Sequence, residues 1–204
     1  MVVGFLHVQR YPHLNVELHL SDKYVDLLAE RFDLAVRVSN LKSNMLIARQ
    51  VGVSERAVFA STEYLERHGE PHTPQDLMNH ECILNTRLPN GGLWPFVGNE
   101  INITGRYRLN NHEAIVSAVC QGIGIGLAPV WIFEEYLRAG RVKALLPCHP
   151  LPTAEVHLLY SVPRLVAKRT RIFMDAIATA FAGKTCMQPG YLDRLRNSGA
   201  AQLE

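Results

Sequence analysis

The chain has 204 residues, of which 48% are apolar and 20% charged, with a formal net charge of +2. That is material for one domain or two small lobes with an ample core, and it gives no strong electrostatic pull on nucleic acid. No run reaches the ~18 apolar residues of a membrane span. The opening "MVVGFLHVQRYPHLNVEL" has neither a basic n-region nor an A-x-A cleavage site, so a cytoplasmic protein without membrane association is expected.

Residues 2–10, "VVGFLHVQR", read as a helix that stops ahead of Pro12, because a proline disfavours helix in the residue before it. It opens without a cap, as if the chain began mid-element. "NVELHL" alternates, with Val16, Leu18 and Leu20 on one face, and reads as a strand. Ser21 suits the N-cap of a helix through Arg31, with Asp22 at its positive end. "DLAVRV" (Asp33–Val38) is the next strand. The order helix, strand, helix, strand predicts parallel strands joined by crossover helices.

A polar loop, Ser39–Asn44, leads to two strand-like runs, "MLIARQV" and "ERAVFAS". "TEYLERHG" is a short helix closed by Gly69. "TPQDLMNH" opens with Thr73 as cap and Pro74 at the first helical position. "ECILN" is a strand, "NGG" a turn, and "LWPFV" and "INITGRYRLN" are strands, the second long and alternating. Asn110 stands three residues before Glu113, as in a capping box, and a helix runs from about His112 to Gln121. Gly122 ends it, "IGIGLAP" is a buried strand, and Pro129 starts the helix "VWIFEEYLRAG". "RVKALLP" and "EVHLLYS" are strands. Leu165–Phe181 is an amphipathic helix with Ile172, Phe173, Ala176, Ile177, Ala180 and Phe181 on one side, and periodicity is lost over residues 184–204.

Several chemistries are excluded by order and spacing. Gly122, Gly124 and Gly126 follow a helix and lead into a strand, whereas a dinucleotide loop follows a strand and opens a helix. Gly122 fits a left-handed helix cap, and Gly124 and Gly126 fit a strand passing close to helices or to a ligand. "HEAIV" begins like a zinc-binding H-E-x-x-H, but Val116 stands where the second histidine is needed. His68 and His72 are separated by Gly69 and Pro71 and share no helical face. Cys82, Cys120, Cys148 and Cys186 form no close pair and read as free thiols in a reducing compartment. No metal, no cofactor and no catalytic acid, base and nucleophile set is indicated, so an enzyme is not expected.

"YPHLNVELHLSDKYVDLLAERFDLAVRVSNL", "LIARQVGVSERAVFASTEYLERHGEPHTPQDLMNHECI", "ITGRYRLNNHEAIVSAVCQGIGIGLAPVWI" and "LRAGRVKALLP" together resemble the effector-binding domain of LysR-type transcriptional regulators. The resemblance runs from residue 1 to about 183. It implies an α/β, two-lobe fold of the periplasmic-binding-protein-like (type II) class, with two crossover strands near Arg56–Ala60 and Glu155–Tyr160. Lobe I would comprise residues 1–57 and 157–183, lobe II residues 58–156, and 184–204 a loose tail. It also implies self-association as a dimer or tetramer, through Val2–Arg10 and His112–Gln121. DNA would be contacted only through an N-terminal winged helix-turn-helix, which this chain lacks together with the first lobe strand. A solute-binding protein of the same two-lobe fold is the alternative.

Ligands in α/β sheets sit at the carboxyl ends of parallel strands, near helix N-termini. That rule selects Ser21 and Asp22 after the first strand, and Arg37, Ser39 and Asn40 after the second. It also selects Thr62 after "ERAVFAS", Asn110, Asn111 and His112 at a helix start, and Pro129 after the glycine strand. Ser21 and Asn110 serve equally as helix caps. Arg37 fits a bidentate contact to an anionic effector, or else an ion pair with Asp22 or Asp33. Trp131 and Tyr136 read as packing residues.

Overall fold

A computed structural model of the chain describes residues 15–21, 26–27, 29–38, 47–87, 92–160 and 168–200. The expected helix over residues 2–10 lies outside them. The chain divides into two units, Met1–Ser54 with Ala154–Tyr191, and Glu55–Thr153 with Leu192–Glu204.

The first unit holds a sheet of β1 (Ala35–Val38), β2 (Ile47–Ser54) and β10 (Ala154–Tyr160), in the order β1-β10-β2. β10 runs antiparallel to both neighbours, with Arg37 opposite His157 and Ser54 opposite Ala154. The central position explains its apolar run: Val156, Leu158 and Leu159 are buried. Among the described strands of this unit the pairing is therefore antiparallel, not the expected parallel one. Asn15–Leu20 forms no strand, and Leu18 and Leu20 are 55% and 84% exposed. Alternation marks a face that could be buried, but only a hydrogen-bonded neighbour makes it a strand. In the expected helix from Ser21 to Arg31, the described residues form turns. Arg31 takes a left-handed φ of 57°, which no helix can continue through.

Helix α4 (Lys168–Ala182) lies against β2 and buries Met174, Ile177 and Phe181. The stretch expected as a loose tail instead carries a 3-10 turn, Thr185–Met187, and helix α5, Tyr191–Ala200. Cys186, Met187 and Tyr191 are its buried anchors. They follow no helical period, so the sequence pattern did not reveal them.

The second unit holds a five-stranded sheet ordered β7-β4-β8-β3-β9. β4 (Cys82–Asn85) runs parallel to β7 (Tyr107–Leu109) and β8 (Ile125–Pro129). β3 (Arg56–Ser61) is antiparallel to β8 and to β9 (Val142–Leu145). A separate hairpin pairs β5 (Leu93–Phe96) with β6 (Asn99–Asn102). "INITGRYRLN" is thus two short strands, not one. β6 serves the hairpin and β7 the main sheet, and the chain changes sheets over residues 103–106. Gly105 lies so close to the Cys82 carbonyl that a Cβ would collide with it.

Helices α1 (Thr62–His68), α2 (His112–Cys120) and α3 (Val130–Arg138) belong to this unit. "PQDLMN" is a 3-10 helix, its start fixed by the Asp76 carboxylate accepting from the backbone N–H of His72 and Thr73. α2 packs on β8, β3 and β4. Gly126 permits that approach: a Cβ there would stand 2.8 Å from Val119 Cγ2 and 3.0 Å from Ile115 Cγ2. Gly124 lies against the Glu81 backbone carbonyl, and Gly122 turns the chain after α2 with φ 68°. Val58, Leu77, Cys82, Trp94 and Ile125 are among the buried core side chains. Tyr136 packs edge-on against Phe133, their rings 6.3 Å apart.

Candidate functional site

Three parallel strands, β4, β7 and β8, end at one edge of the second unit's sheet. Beyond β7 comes the start of α2, and beyond β8 the start of α3. Two helix N-termini, each with N–H groups that have no partner within the helix and with a positive dipole end, thus open at this edge. The N-cap of α2 is Asn111, one residue later than the expected Asn110. Its side-chain oxygen accepts from the N–H of Glu113 at 2.7 Å and of Ala114 at 3.1 Å. Asn110 is exposed beside the cap and takes no part in it.

His112, half-buried at the first helical position, reaches Asn85 at the end of β4, with Asn85 Nδ2 and His112 Nε2 3.4 Å apart. Asn85 is 5% exposed, and its Oδ1 accepts from the Arg87 N–H at 3.0 Å. Thr86 ties β4 to β7, its N–H donating to the Leu109 carbonyl at 2.8 Å. Pro129, half-buried, caps α3 without a side-chain bond, and the Val130 N–H donates to the Glu55 carbonyl at 2.9 Å. Asn110, Asn111, His112 and Pro129 therefore share an edge. Asn85 belongs with them and was missed, although the same strand-end rule applies to the last residue of "ECILN".

Thr62 does not join this group. β3 runs antiparallel to β8, so Arg56 pairs with Pro129 at the polar edge while the β3 carboxyl end lies at the other edge. Thr62 there donates from its backbone N–H to the Arg141 carbonyl at 3.2 Å. The strand-end rule misplaced it because strand direction, which the sequence does not display, decides which edge is reached. Near Thr62, Tyr64 stacks on His68 with ring centroids 4.3 Å apart. The Tyr64 hydroxyl accepts from the Glu81 N–H and lies 3.3 Å from His80 Nδ1. Burial, and secondarily the charge of His68, hold the His80 pKa below the ordinary histidine value.

In the first unit, Arg37 is half-buried on β1, opposite His157 of β10. His157 is 7% exposed, with Nε2 3.3 Å from Glu155 and a buried Nδ1 that has no hydrogen-bond partner among the described residues. A cation, an imidazole and a carboxylate are thus neighbours on this sheet. Ser21 is exposed. Asp22, Ser39 and Asn40 lie outside the described residues. Among the described residues no cluster of His, Cys, Asp and Glu could hold a metal ion, and no helix is long and apolar enough to cross a membrane.

Residues 7–182 match the model of the LysR substrate binding domain. The chain is 32% identical over 190 residues to the uncharacterized HTH-type transcriptional regulator YcaN of Escherichia coli, covering 91% of this chain and 61% of that protein. It is 32% identical over 157 residues to an uncharacterized HTH-type transcriptional regulator of Haemophilus influenzae, covering 74% of this chain and 54% of that one. The chain thus spans a little over half the length of these relatives. Among solved structures, the regulatory domain of CrgA from Neisseria meningitidis superimposes with a TM-score of 0.79 at 27% identity, over 86% of this chain and 88% of that domain. The α/β, two-lobe, periplasmic-binding-protein-like fold expected from the sequence is the fold of such regulatory domains. By a family match that extends from residue 7 to residue 182, the chain belongs to the LysR substrate binding domain family.

Proposed function

We propose that the chain is the effector-sensing and oligomerisation domain of a LysR-type transcriptional regulator. The family match over residues 7–182, together with the likeness to relatives that are transcriptional regulators, carries this reading. It favours a regulator over a solute-binding protein or an enzyme. On this reading the first unit is lobe I, the second is lobe II, and polar groups of both contribute to binding a small molecule. Asn111, His112 and Asn85 would be the polar contacts from lobe II, and Arg37 the cation from lobe I that receives an anionic effector bidentately. Ser21, Asp22, Ser39, Asn40, Asn110 and Pro129 remain candidates beside them. Binding shifts the balance between lobe arrangements only by the effector's differential affinity for them. Paired chains, as dimer or tetramer, would pass that shift to winged helix-turn-helix domains on cytoplasmic DNA.

A thermal-shift screen of small carboxylates and aromatic compounds tests the proposal, with wild type and Arg37→Ala side by side. A ligand at 100 times its Kd stabilises the folded state by about 2.7 kcal/mol, enough to read as a clear rise in Tm. The expected result is an anion that stabilises wild type and loses most of that effect in Arg37→Ala. Stabilisation unchanged by the substitution removes Arg37 from the site, and no stabilising compound at all counts against a sensor.

A further inference from the structure

The chain passes from one unit to the other at Ser54–Glu55 and returns at Thr153–Ala154. It passes a third time at Tyr191–Leu192, in the stretch that follows the family match ending at residue 182. On the first-unit side of this third passage, the 3-10 turn Thr185–Met187 rests on β2. The Met187 carbonyl comes so near Gly52 that a Cβ there would stand 3.0 Å from its oxygen. Cys186, Met187 and Tyr191 are each 3% exposed, so burial holds this end in place. Gly190, with φ 72°, turns the chain into α5.

On the second-unit side, the Leu192 N–H donates to the Glu55 carboxylate at 3.0 Å. Leu192 stands in the first turn of α5, where N–H groups have no partner within the helix and a carboxylate meets the positive end of the dipole. Leu192 and Asp193 also border a cavity together with Glu55 and Thr153. Glu55 and Thr153 are the residues at which the second unit receives the chain from β2 and returns it to β10. The start of α5 is therefore fastened beside the second unit's ends of both other passages.

Two passages leave two units free to turn about the line that joins them, the change being taken up by a few residues at each passage. A third link opposes that turn only if it has no slack. Here the last residue held by the first unit and the first held by the second are consecutive, about 3.8 Å apart at their Cα atoms. We infer that residues 183–193 are a strap that restrains the turning of one unit against the other. The restraint concerns the two units alone and stands whether or not an effector is found. Its bearing on regulation rests on the effector reading above, in which the strap adds to the cost of changing the lobe arrangement.

Residual dipolar couplings test it, fitted to each unit by itself, with no effector added. Units that are restrained report one alignment tensor, and units that turn freely report two of different magnitude. The variant is an eight-residue Gly-Ser insertion between Tyr191 and Leu192. It lengthens the link by up to about 28 Å while keeping Cys186, Met187 and Tyr191 in the first unit and the Glu55–Leu192 bond in the second. The expected result is a common tensor for the natural chain and its loss in the variant. A tail that only covers apolar surface would leave the tensor common after insertion, and that result overturns the proposal. So does a natural chain whose units already differ. If the insertion does not fold, Glu55→Ala, which removes the tie to Leu192 and leaves both sheets intact, is judged by the same two outcomes.

Discussion

Asn111 offers the sharpest single test, because one side chain serves both the stability of α2 and the proposed effector edge. Asn111→Ala removes the acceptor for the Glu113 and Ala114 N–H groups, at 2.7 and 3.1 Å. Each bond has a net worth of about 0.5–1.5 kcal/mol, but the cap is exposed and water takes over part of the role. The expected cost is about 1 kcal/mol, the middle of the range for removed N-caps. For a chain of this length that lowers Tm by about 2–4 °C. Asn111→Asp keeps the acceptor and adds a negative charge at the positive end of the helix dipole, so its Tm should match or exceed wild type. The same aspartate opposes an anionic effector. A like charge ~6 Å away, at an effective dielectric of ~40–80, costs about 0.7–1.4 kcal/mol, or roughly threefold to tenfold in affinity. Differential scanning fluorimetry with and without the stabilising anion reads both effects. If Asp destabilises as much as Ala, the capping account is wrong. If Asp is stable and binds the anion undiminished, Asn111 is a cap and nothing more.

Gly126→Ala forces a Cβ to within 2.8 Å of Val119 Cγ2 and should cost about 1–3 kcal/mol by chemical denaturation. Adding Val119→Ala should recover part of that loss, and strict additivity would refute the contact. Burial pushes the Cys82 thiol up to about 12, so iodoacetamide at pH 8 should label exposed Cys148 and spare Cys82, as peptide mapping can show. His80 has a depressed folded pKa, so below the ordinary value of 6.5 the unfolded chain binds the extra proton first. Stability should therefore be full above about pH 6.5 and fall as the pH drops below it. His80→Gln should flatten that slope in urea titrations, and an unchanged slope would place its origin elsewhere.

The elements of the second unit were largely legible, because "ECILN", "ERAVFAS" and "IGIGLAP" are buried apolar runs bounded by turn residues. Their directions were not, and Thr62 went to the wrong edge for that reason. The alternation of "INITGRYRLN" was real, but nothing local records that its halves join different sheets. "NVELHL" shows the converse, a pattern without a described partner. Within the site, Asn111 and His112 were legible as a helix start, and the strand-end rule reaches Asn85 as well, whereas its contact with His112 appears only in the fold.

The middle position of β10 bears on how the molecule is made. Among the described strands, β1 and β2 have no hydrogen bonds to each other, and each bonds only to β10. During synthesis from the amino terminus, both must wait with open edges while the entire second unit emerges. That unit's strands, by contrast, all come from one uninterrupted stretch and can pair at once. Long-range closures of this kind are slow, and exposed strand edges invite the wrong partner. The first unit is accordingly the late and aggregation-prone step of folding, and a nascent chain halted before Ala154 leaves it without its central strand.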